Sequence, residues 1–285
     1  MANWSSCNSK PTFRQVLLSA VFLLFSAVTN AADSATGSTT DFATNYVAIP
    51  GNQFASVLSG PDLKDKAKVK PFAMRISPVT NGEYQQFLQT HPEWRRDSVP
   101  SIFADASYLH TWSSPNEPGD AQKLTQAATS VSWHAAQAYC ETENARLPAW
   151  YEWELVAAAD GQHADARSDP AWLAHILSWY SVSSDQSSTN STNIGHAPNY
   201  YGIKDMHGLI WEWVSDFNAL LISADSRTQG DPDKLQFCGA GAISLQNKEN
   251  YAILMRVALL SSLTGASTTD NLGFRCARDL NGERK

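Results

Sequence analysis

Apolar residues recur at three- and four-residue intervals in a segment that begins near residue 80. Thr80 or Asn81 can cap a helix there, because either side chain can accept a hydrogen bond from the free backbone N–H groups of a first turn. Pro92 cannot continue a helix, and it disfavours helical backbone at His91. The pattern therefore predicts one helix between these limits. Its apolar face comprises Tyr84, Phe87 and Leu88.

Two more helices are predicted in the middle of the chain. The segment 130–148, SVSWHAAQAYCETENARLP, has Ser132 as an N-cap and Pro148 as a helix breaker. The segment 150–161, WYEWELVAAADG, follows it, and Gly161 is expected to close this third helix. The inward face of the second helix comprises Ala136, Tyr139 and Cys140.

Strand patterns are shorter and lie towards the two ends of the chain. Residues 45–58 alternate enough around a Pro-Gly turn to predict two strands. Beyond residue 205 the pattern indicates short strands and loops, ending in a core strand, LGFRCARDL, at 272–280. The polar stretch 95–128 and the low-complexity stretch 183–193 are expected to be loops. The predicted fold class is α+β, a single irregular, loop-rich domain with few helices.

The N-terminal segment has the features of a secretory signal peptide. Lys10 and Arg14 precede an apolar run at 16–28, and small residues follow it, with cleavage expected after Ala31. An uncleaved membrane anchor is the alternative, but the run is shorter than the roughly 20 residues that a spanning helix needs. The predicted organisation is a signal peptide at 1–31, a disordered lead-in at 32–44 and one domain at 45–281.

Export changes the charge and the chemistry expected of the cysteines. Removing residues 1–31 takes away two basic residues, so 19 basic and 28 acidic residues remain and the net charge is −9. This charge argues against nucleic acid and against anionic membrane surfaces as partners. We expect a periplasmic or secreted protein with no stable membrane insertion after the signal is removed. In an oxidising compartment, Cys140, Cys238 and Cys276 predict one disulfide and one remaining thiol.

Five phrases occur in an order that resembles the formylglycine-generating enzyme superfamily, also called sulfatase-modifying factors. The resemblance covers nearly the whole predicted mature chain, from Val47 to Arg278, and it implies a fold similar to the C-type lectin fold. The phrases are PVTNGEYQQF (78–87), SVSWHAAQAYC (130–140), ARLPAWYEWE (145–154), YYGIKDMHGLIWEW (200–213) and NLGFRCA (271–277).

Further phrases are similar to a narrower branch, the exported proteins encoded beside copper nitrite reductases in denitrifying bacteria. That resemblance implies a periplasmic client protein, such as a copper nitrite reductase, as a partner. The phrases are HPEWRRDSVPSIFADASYLHTW (91–112), WEWVSDFNALLISADSR (211–227), CGAGA (238–242) and YAILMRVALLSSL (251–263).

The superfamily resemblance implies a calcium site in the segment DMHGLIWEW. The matching ligands are the side chains of Asp205 and Glu212 and the backbone carbonyls of Gly208 and Ile210. Calcium takes six to eight oxygen ligands, and a tight loop with two carboxylates can supply several of them. The alternative is that Asp205 caps a turn while Glu212 pairs with an arginine. A second calcium site is expected to be weak or absent, because only its first half is matched, by Asn193 and Ile194.

The resemblance also raises the question of catalysis. Formylglycine-generating enzymes use two cysteines, five residues apart, to hold copper(I), which suits soft thiolate ligands. In this sequence the first cysteine falls on Ser244 or Asn247 and the second near Tyr251 or Ala252. Formylglycine-generating activity and copper binding are therefore not expected, and whether the chain has any other enzymatic activity stays open.

The cysteines that match the superfamily's disulfide are Cys140 and Cys276, which implies that these two are joined and that Cys238 is a free, buried thiol. The competing interpretation pairs Cys238 with Cys276. Three functions remain to be weighed: a non-catalytic accessory or maturation factor, an oxidoreductase of altered chemistry on the same scaffold, and a carbohydrate-binding module. The first is favoured, because the motif set is otherwise complete and lacks only the cysteine pair.

Overall fold

The computed structural model describes residues 45–58, 66–180, 193–220 and 251–280, with backbone alone at 180 and 251–252. All of them belong to one compact unit, Thr40–Lys285. The predicted signal peptide, lead-in and low-complexity loop up to 192 lie outside the described residues, as do Cys238, Ser244 and Asn247.

Seven short strands and five α-helices are present among these residues. The strands are β1 Tyr46–Ile49, β2 Asn52–Phe54, β3 Ala67–Val69, β4 Phe72–Arg75, β5 Trp211–Glu212, β6 Leu272–Gly273 and β7 Ala277–Asp279. The helices are α1 Asn81–Thr90, α2 Trp133–Thr142, α3 Trp150–Ala157, α4 Pro170–Tyr180 and α5 Tyr251–Ser261. Three 3₁₀ turns lie at Pro92–Trp94, Ala121–Thr125 and Phe217–Ala219.

The main sheet joins the two ends of the domain. Strand β4 is central and antiparallel to both β1 and β7, so the order is β1-β4-β7. All four residues of β4 are buried, as expected for a central strand covered on both faces. In its register, Met74 pairs with Val47 on one side and with Ala277 on the other. The predicted strands around the Pro-Gly turn are confirmed, although β2 pairs with β3 rather than with β1.

The two-stranded sheet of β5 and β6 positions the segment that carries the candidate site. Strand β5 is parallel to β6, with Trp211 opposite Leu272 and Glu212 opposite Gly273. A Cβ at Gly273 would lie 2.2 Å from the Ala128 carbonyl oxygen, so only glycine allows this close approach. The predicted core strand at 272–280 is therefore two strands, with three fully buried residues, Phe274 to Cys276, between them.

The first two predicted helices begin where the caps indicate. Thr80 accepts a hydrogen bond from Glu83 N at 3.2 Å, and Glu83 Oε2 accepts one from Thr80 N at 2.8 Å, which is a complete capping box. Ser132 caps α2 by accepting from Ala135 N. The predicted inward faces of both helices are confirmed, because all of these side chains are buried: Tyr84, Phe87 and Leu88 in α1, and Ala136, Tyr139 and Cys140 in α2.

The predicted ends of α2 and α3 were too late. Helix α2 ends at Thr142, before Pro148, because the chain turns through a left-handed residue at Asn144, with φ 53°. Helix α3 ends at Ala157, before Gly161, because the next residues turn back and Ala166 N donates to Ala158 O at 2.8 Å.

Helices α4 and α5 were not predicted. The sequence pattern assigned short strands and loops beyond residue 205, whereas α5 is a helix of 11 residues. Both helices are rich in large apolar residues on several sides, which weakens the periodic signal that marks a one-sided surface helix. None of the helices in the described part of the chain combines the length and the apolar character that a membrane span needs.

Candidate functional site

The loop from Asp205 to Glu212 is shaped by two left-handed residues. Asp205 has φ 60° and Gly208 has φ 80°. Gly208 is also covered by Trp179, since a Cβ at this position would lie 2.5 Å from the indole ring. A side chain at 208 would therefore clash as well as strain the backbone, and glycine is required for both reasons.

Asp205 is a buried acceptor at the start of this loop. Its Oδ2 accepts from Gly195 N at 2.8 Å, and its Oδ1 accepts from His196 N at 3.1 Å. His196 Nδ1 lies 2.5 Å from the same Oδ1. The Asp205 side chain is fully buried whereas that of His196 is 66% exposed, so the carboxylate fixes the backbone turn and the orientation of a surface imidazole.

Glu212 lies at the other end of the loop and forms an ion pair with Arg275. The guanidinium donates from Nη2 to Oε1 at 2.7 Å and from Nε to both oxygens at 2.9 and 3.0 Å. Trp153 Nε1 donates a fourth hydrogen bond to Oε2 at 2.8 Å. Both charged side chains are at most 1% exposed. A buried carboxylate is stable only when its charge is paired and its oxygens accept hydrogen bonds, and Glu212 meets both conditions.

Arg275 also ties the loop to the main sheet. Its Nη2 donates to the carbonyl oxygens of Lys204 and Asp205 at 3.0 and 3.2 Å. Its Nη1 lies 3.3 Å from the carbonyl oxygens of Arg75 and Ile76. One buried guanidinium therefore connects both ends of the 205–212 loop with the end of β4.

A second layer of buried cationic and aromatic groups surrounds Glu212. The Arg256 guanidinium lies 3.6 Å from the Trp153 ring centroid and donates to the backbone carbonyl of Glu212. His207 Nε2 lies 2.7 Å from Ala157 O, where it can only donate. Burial lowers the pKa of His207 to about 4, so its ring is neutral at pH 7. The loop is thereby tied to α3 and α5 as well as to the sheet.

The predicted site residues come together only in part. Asp205 accepts hydrogen bonds at a turn and Glu212 pairs with an arginine, and these are the roles that the alternative interpretation gave them. The calcium site stays a prediction. Asn193 forms an isolated bridge with Gln126. Asn193 and Ile194 directly precede Gly195 and His196, whose backbone N–H groups donate to the Asp205 carboxylate. Of the positions near the missing cysteines, Tyr251 and Ala252 begin α5, and their side chains lie outside what the structure describes.

Sequence reasoning missed the partners that complete the site, which are His196, Trp153 and Arg275. One signal was available for Arg275. An arginine inside the apolar phrase LGFRC must be buried with its neighbours, and a buried guanidinium needs a carboxylate partner. The sequence does not say which of the 28 acidic residues that partner is.

The cysteines decide what thiol chemistry is available. Cys140 and Cys276 form a disulfide with a Cα–Cα distance of 5.5 Å, as the resemblance implied, and both residues are fully buried. The competing pairing of Cys238 with Cys276 is therefore wrong. The sequence contains two other cysteines, Cys7 and Cys238, so the predicted mature chain keeps a single thiol.

A family model for the sulfatase-modifying factor enzyme 1-like domain matches residues 32–280. The chain belongs to this family. An inactive C-alpha-formylglycine-generating enzyme 2 from Bos taurus is 26% identical over 274 residues, covering 82% of this chain and 87% of the relative. The formylglycine-generating enzyme of Thermomonospora curvata is 29% identical over 287 residues, covering 84% and 95%. That of Bos taurus is 24% identical over 306 residues, covering 90% and 80%.

The relatives that this chain matches thus include proteins named as formylglycine-generating enzymes and proteins named as inactive. This chain has the mixed helix and strand content of a single family domain and matches inactive relatives over most of its length.

Proposed function

We propose that this protein is a non-catalytic accessory or maturation factor built on the formylglycine-generating-enzyme scaffold. The observation that carries the proposal is the cysteine inventory. Cys140 and Cys276 are consumed by the buried disulfide, and Cys238 is the one cysteine left in the predicted mature chain. A copper(I) site of the kind these enzymes use needs two thiolates, and hydroxyl or amide groups at 244 and 247 are too hard to replace them.

Oxygen uptake with a cysteine-containing sulfatase peptide tests this proposal. The mature protein, supplied with copper(I), is expected to consume no oxygen above background and to leave the peptide mass unchanged. The Thermomonospora curvata enzyme, treated in the same way, serves as the positive control. Conversion of the peptide cysteine to an aldehyde by this protein would contradict the proposal and favour an oxidoreductase of altered chemistry.

The proposal includes export and a client protein. The basic start, the apolar run at 16–28 and the small residues before Ala32 support a cleaved signal and a periplasmic or secreted location. The narrower resemblance supports a client such as a copper nitrite reductase. When the mature protein is used to capture partners from a periplasmic extract, we expect that reductase to be enriched. The comparison is a parallel capture with a control protein of similar net charge. Intact Met1 on the exported protein would contradict the cleaved signal. A capture that does not enrich the reductase would contradict the client protein.

The proposal also includes one structural calcium ion at the 205–212 loop. Asp205 Oδ2 accepts one hydrogen bond and so keeps a lone pair for a cation. The carbonyls of Gly208 and Ile210 are hard oxygens of the kind that calcium prefers. Glu212 fits less well, because its two oxygens already accept four hydrogen bonds. We therefore assign the binding mainly to Asp205 and the two carbonyls, with water as the remaining ligands.

A further inference from the structure

Positive charge in this acidic protein is concentrated on one short strand, β3, and the residues next to it. Four of the nine lysines in the predicted mature chain fall within residues 64–70, although that chain has a net charge of −9. Lys66, Lys68 and Lys70 are exposed, and the two residues between them are buried. Because successive side chains of a strand point to opposite faces, these three lysines lie in a row on the outward face. We call them the lysine row.

The charges of the lysine row are not neutralised within the described part of the chain. None of the ion pairs there includes a lysine. The arginines differ, because each described arginine donates to a carboxylate or a carbonyl oxygen. The residue opposite Lys68 on β2 is Gln53, which carries no charge. The lysine row therefore keeps its charge for a group outside the domain.

Strand β3 also has an open backbone edge. It pairs with β2 alone, in a two-stranded sheet. On its other side, the backbone of residues 66–70 forms no hydrogen bond with any described residue outside this hairpin. The inner face of the hairpin is fixed, because Phe54, Ala67 and Val69 are buried and the Phe54 ring lies 6.4 Å from the Tyr151 ring of α3. A fixed strand with free N–H and C=O groups can accept a further strand.

We propose that the lysine row and the open edge of β3 form a docking surface for an acidic, extended segment of a partner protein. The segment adds to β3 as a third strand and places carboxylates at alternate positions beside the lysines. The backbone edge supplies hydrogen bonds that a peptide chain can use, and the lysine row selects a chain of negative charge. This proposal goes beyond the proposed function and does not depend on whether the protein is catalytic.

Two other roles for the lysine row lead to different expectations. Lysines on an edge strand keep copies of a protein from pairing, since like charges repel. The same repulsion excludes a second copy of β3 and leaves acidic strands as partners, so the two roles are compatible. Nucleic acid is the other large anion. It is disfavoured, because three lysines do not offset its repulsion by a chain of net charge −9, and it gains nothing from a strand edge.

The probe is a short peptide of alternating glutamate and threonine, titrated into the mature protein by calorimetry. We expect binding at about 0.01 M salt and at least about tenfold weaker binding at about 1 M salt, where surface charges are screened. A peptide with lysine in place of glutamate should not bind. Lys68→Glu should weaken binding of the glutamate peptide about tenfold, because an attractive cross-strand pair becomes a repulsive one. Lys123→Glu changes the net charge equally outside the hairpin and should bind as wild type does.

Hydrogen exchange separates strand addition from charge attraction alone. Saturating glutamate peptide should slow exchange of the β3 amides that face away from β2 by about tenfold or more, whereas amides of β4, which is paired on both sides, should not change. Unchanged exchange in β3 overturns strand addition. The docking surface is overturned if the glutamate peptide does not bind at low salt, if the lysine peptide binds equally well, or if Lys68→Glu binds as wild type does. Tighter binding of single-stranded DNA of equal charge overturns the choice of a protein partner.

Discussion

Arg275 and Glu212 form a fully buried ion pair in which the guanidinium donates three of the four hydrogen bonds that the carboxylate accepts. The two residues are 63 positions apart, and each lies in or beside one of the paired strands β5 and β6. The pair therefore fixes the loop, the sheet edge and the C-terminal segment in one arrangement.

Breaking this pair should destabilise the domain strongly. Glu212→Gln leaves a buried guanidinium without a counter-charge, and such changes cost about 3–5 kcal/mol. Chemical denaturation of the mature protein measures the loss. The matched control is Asp97→Asn, which removes the exposed pair with Arg95 and should cost less than about 1 kcal/mol. Similar losses in the two variants would contradict the importance of the buried pair.

Loss of the disulfide should also lower stability. The bond closes a segment of 136 residues, and a loop of that length contributes about 5 kcal/mol in the chain-entropy model. Replacing both Cys140 and Cys276 by alanine should lower the urea midpoint accordingly. In unreduced, denatured mature protein a thiol reagent should count one reactive group, Cys238. Three reactive groups, or a peptide map that joins Cys238 to either partner, would contradict the pairing.

Helix α3 offers a stabilising substitution. Glu152 Oε2 accepts from Ala149 N at 2.8 Å, which is half of a capping box, but alanine has no oxygen to supply the other half. Ala149 already has extended backbone angles, φ −69° and ψ 157°, so threonine fits there without strain. Ala149→Thr should raise the free energy of unfolding by about 1 kcal/mol. Thr80→Ala, which removes the existing cap of α1, should lower it by a similar amount.

Calcium should stabilise the folded state if the 205–212 loop binds it. Elemental analysis of mature protein purified in calcium is expected to give one ion per chain. A chelator should then lower the Tm, because a ligand that binds only the folded state stabilises it by mass action. Asp205→Gly retains the left-handed backbone at this position and removes the carboxylate, so its Tm should not respond to the chelator. An unchanged Tm in chelated wild-type protein would argue against the site.

Four tyrosines should resist ionisation in the folded protein. Burial raises the pKa of Tyr46, Tyr84, Tyr108 and Tyr139, and Tyr84 and Tyr108 also share a hydrogen bond of 2.6 Å between their hydroxyls. Above pH about 10 the unfolded chain releases these protons while the folded chain keeps them, so stability should fall as the pH rises from there. Absorbance at 295 nm, compared in buffer and in guanidinium, measures the difference.

Tyr84→Phe checks the assignment of that difference. The variant should leave the absorbance rise of the folded protein up to pH 11 unchanged, because Tyr84 keeps its proton there. It should lower the rise of the unfolded protein by one part in nine, since the chain has nine tyrosines. A smaller rise in the folded variant would show that Tyr84 ionises in the native state.

Local signals in the sequence predicted local structure well. Thr80 and Ser132 mark helix starts because a cap is a contact between residues three positions apart, which any short segment reveals. The ends of α2 and α3 were predicted too late, because the turns after them depend on Asn144 and on a return contact to Ala166 rather than on the nearest proline or glycine. Helices α4 and α5 were missed, since apolar residues on several sides carry no clear period.

The sequence by itself determined the family, through five ordered phrases, and the lack of a thiolate pair, through the positions of four cysteines. The disulfide partners followed from the same resemblance. Only the tertiary structure decided that Glu212 pairs with Arg275 and that the His196 imidazole contacts the Asp205 carboxylate. The physical reason is that the partner of a buried charge is whichever opposite charge the folded chain places next to it. That choice depends on the packing of β5 against β6 and of the loop against both, and no spacing along the chain records it.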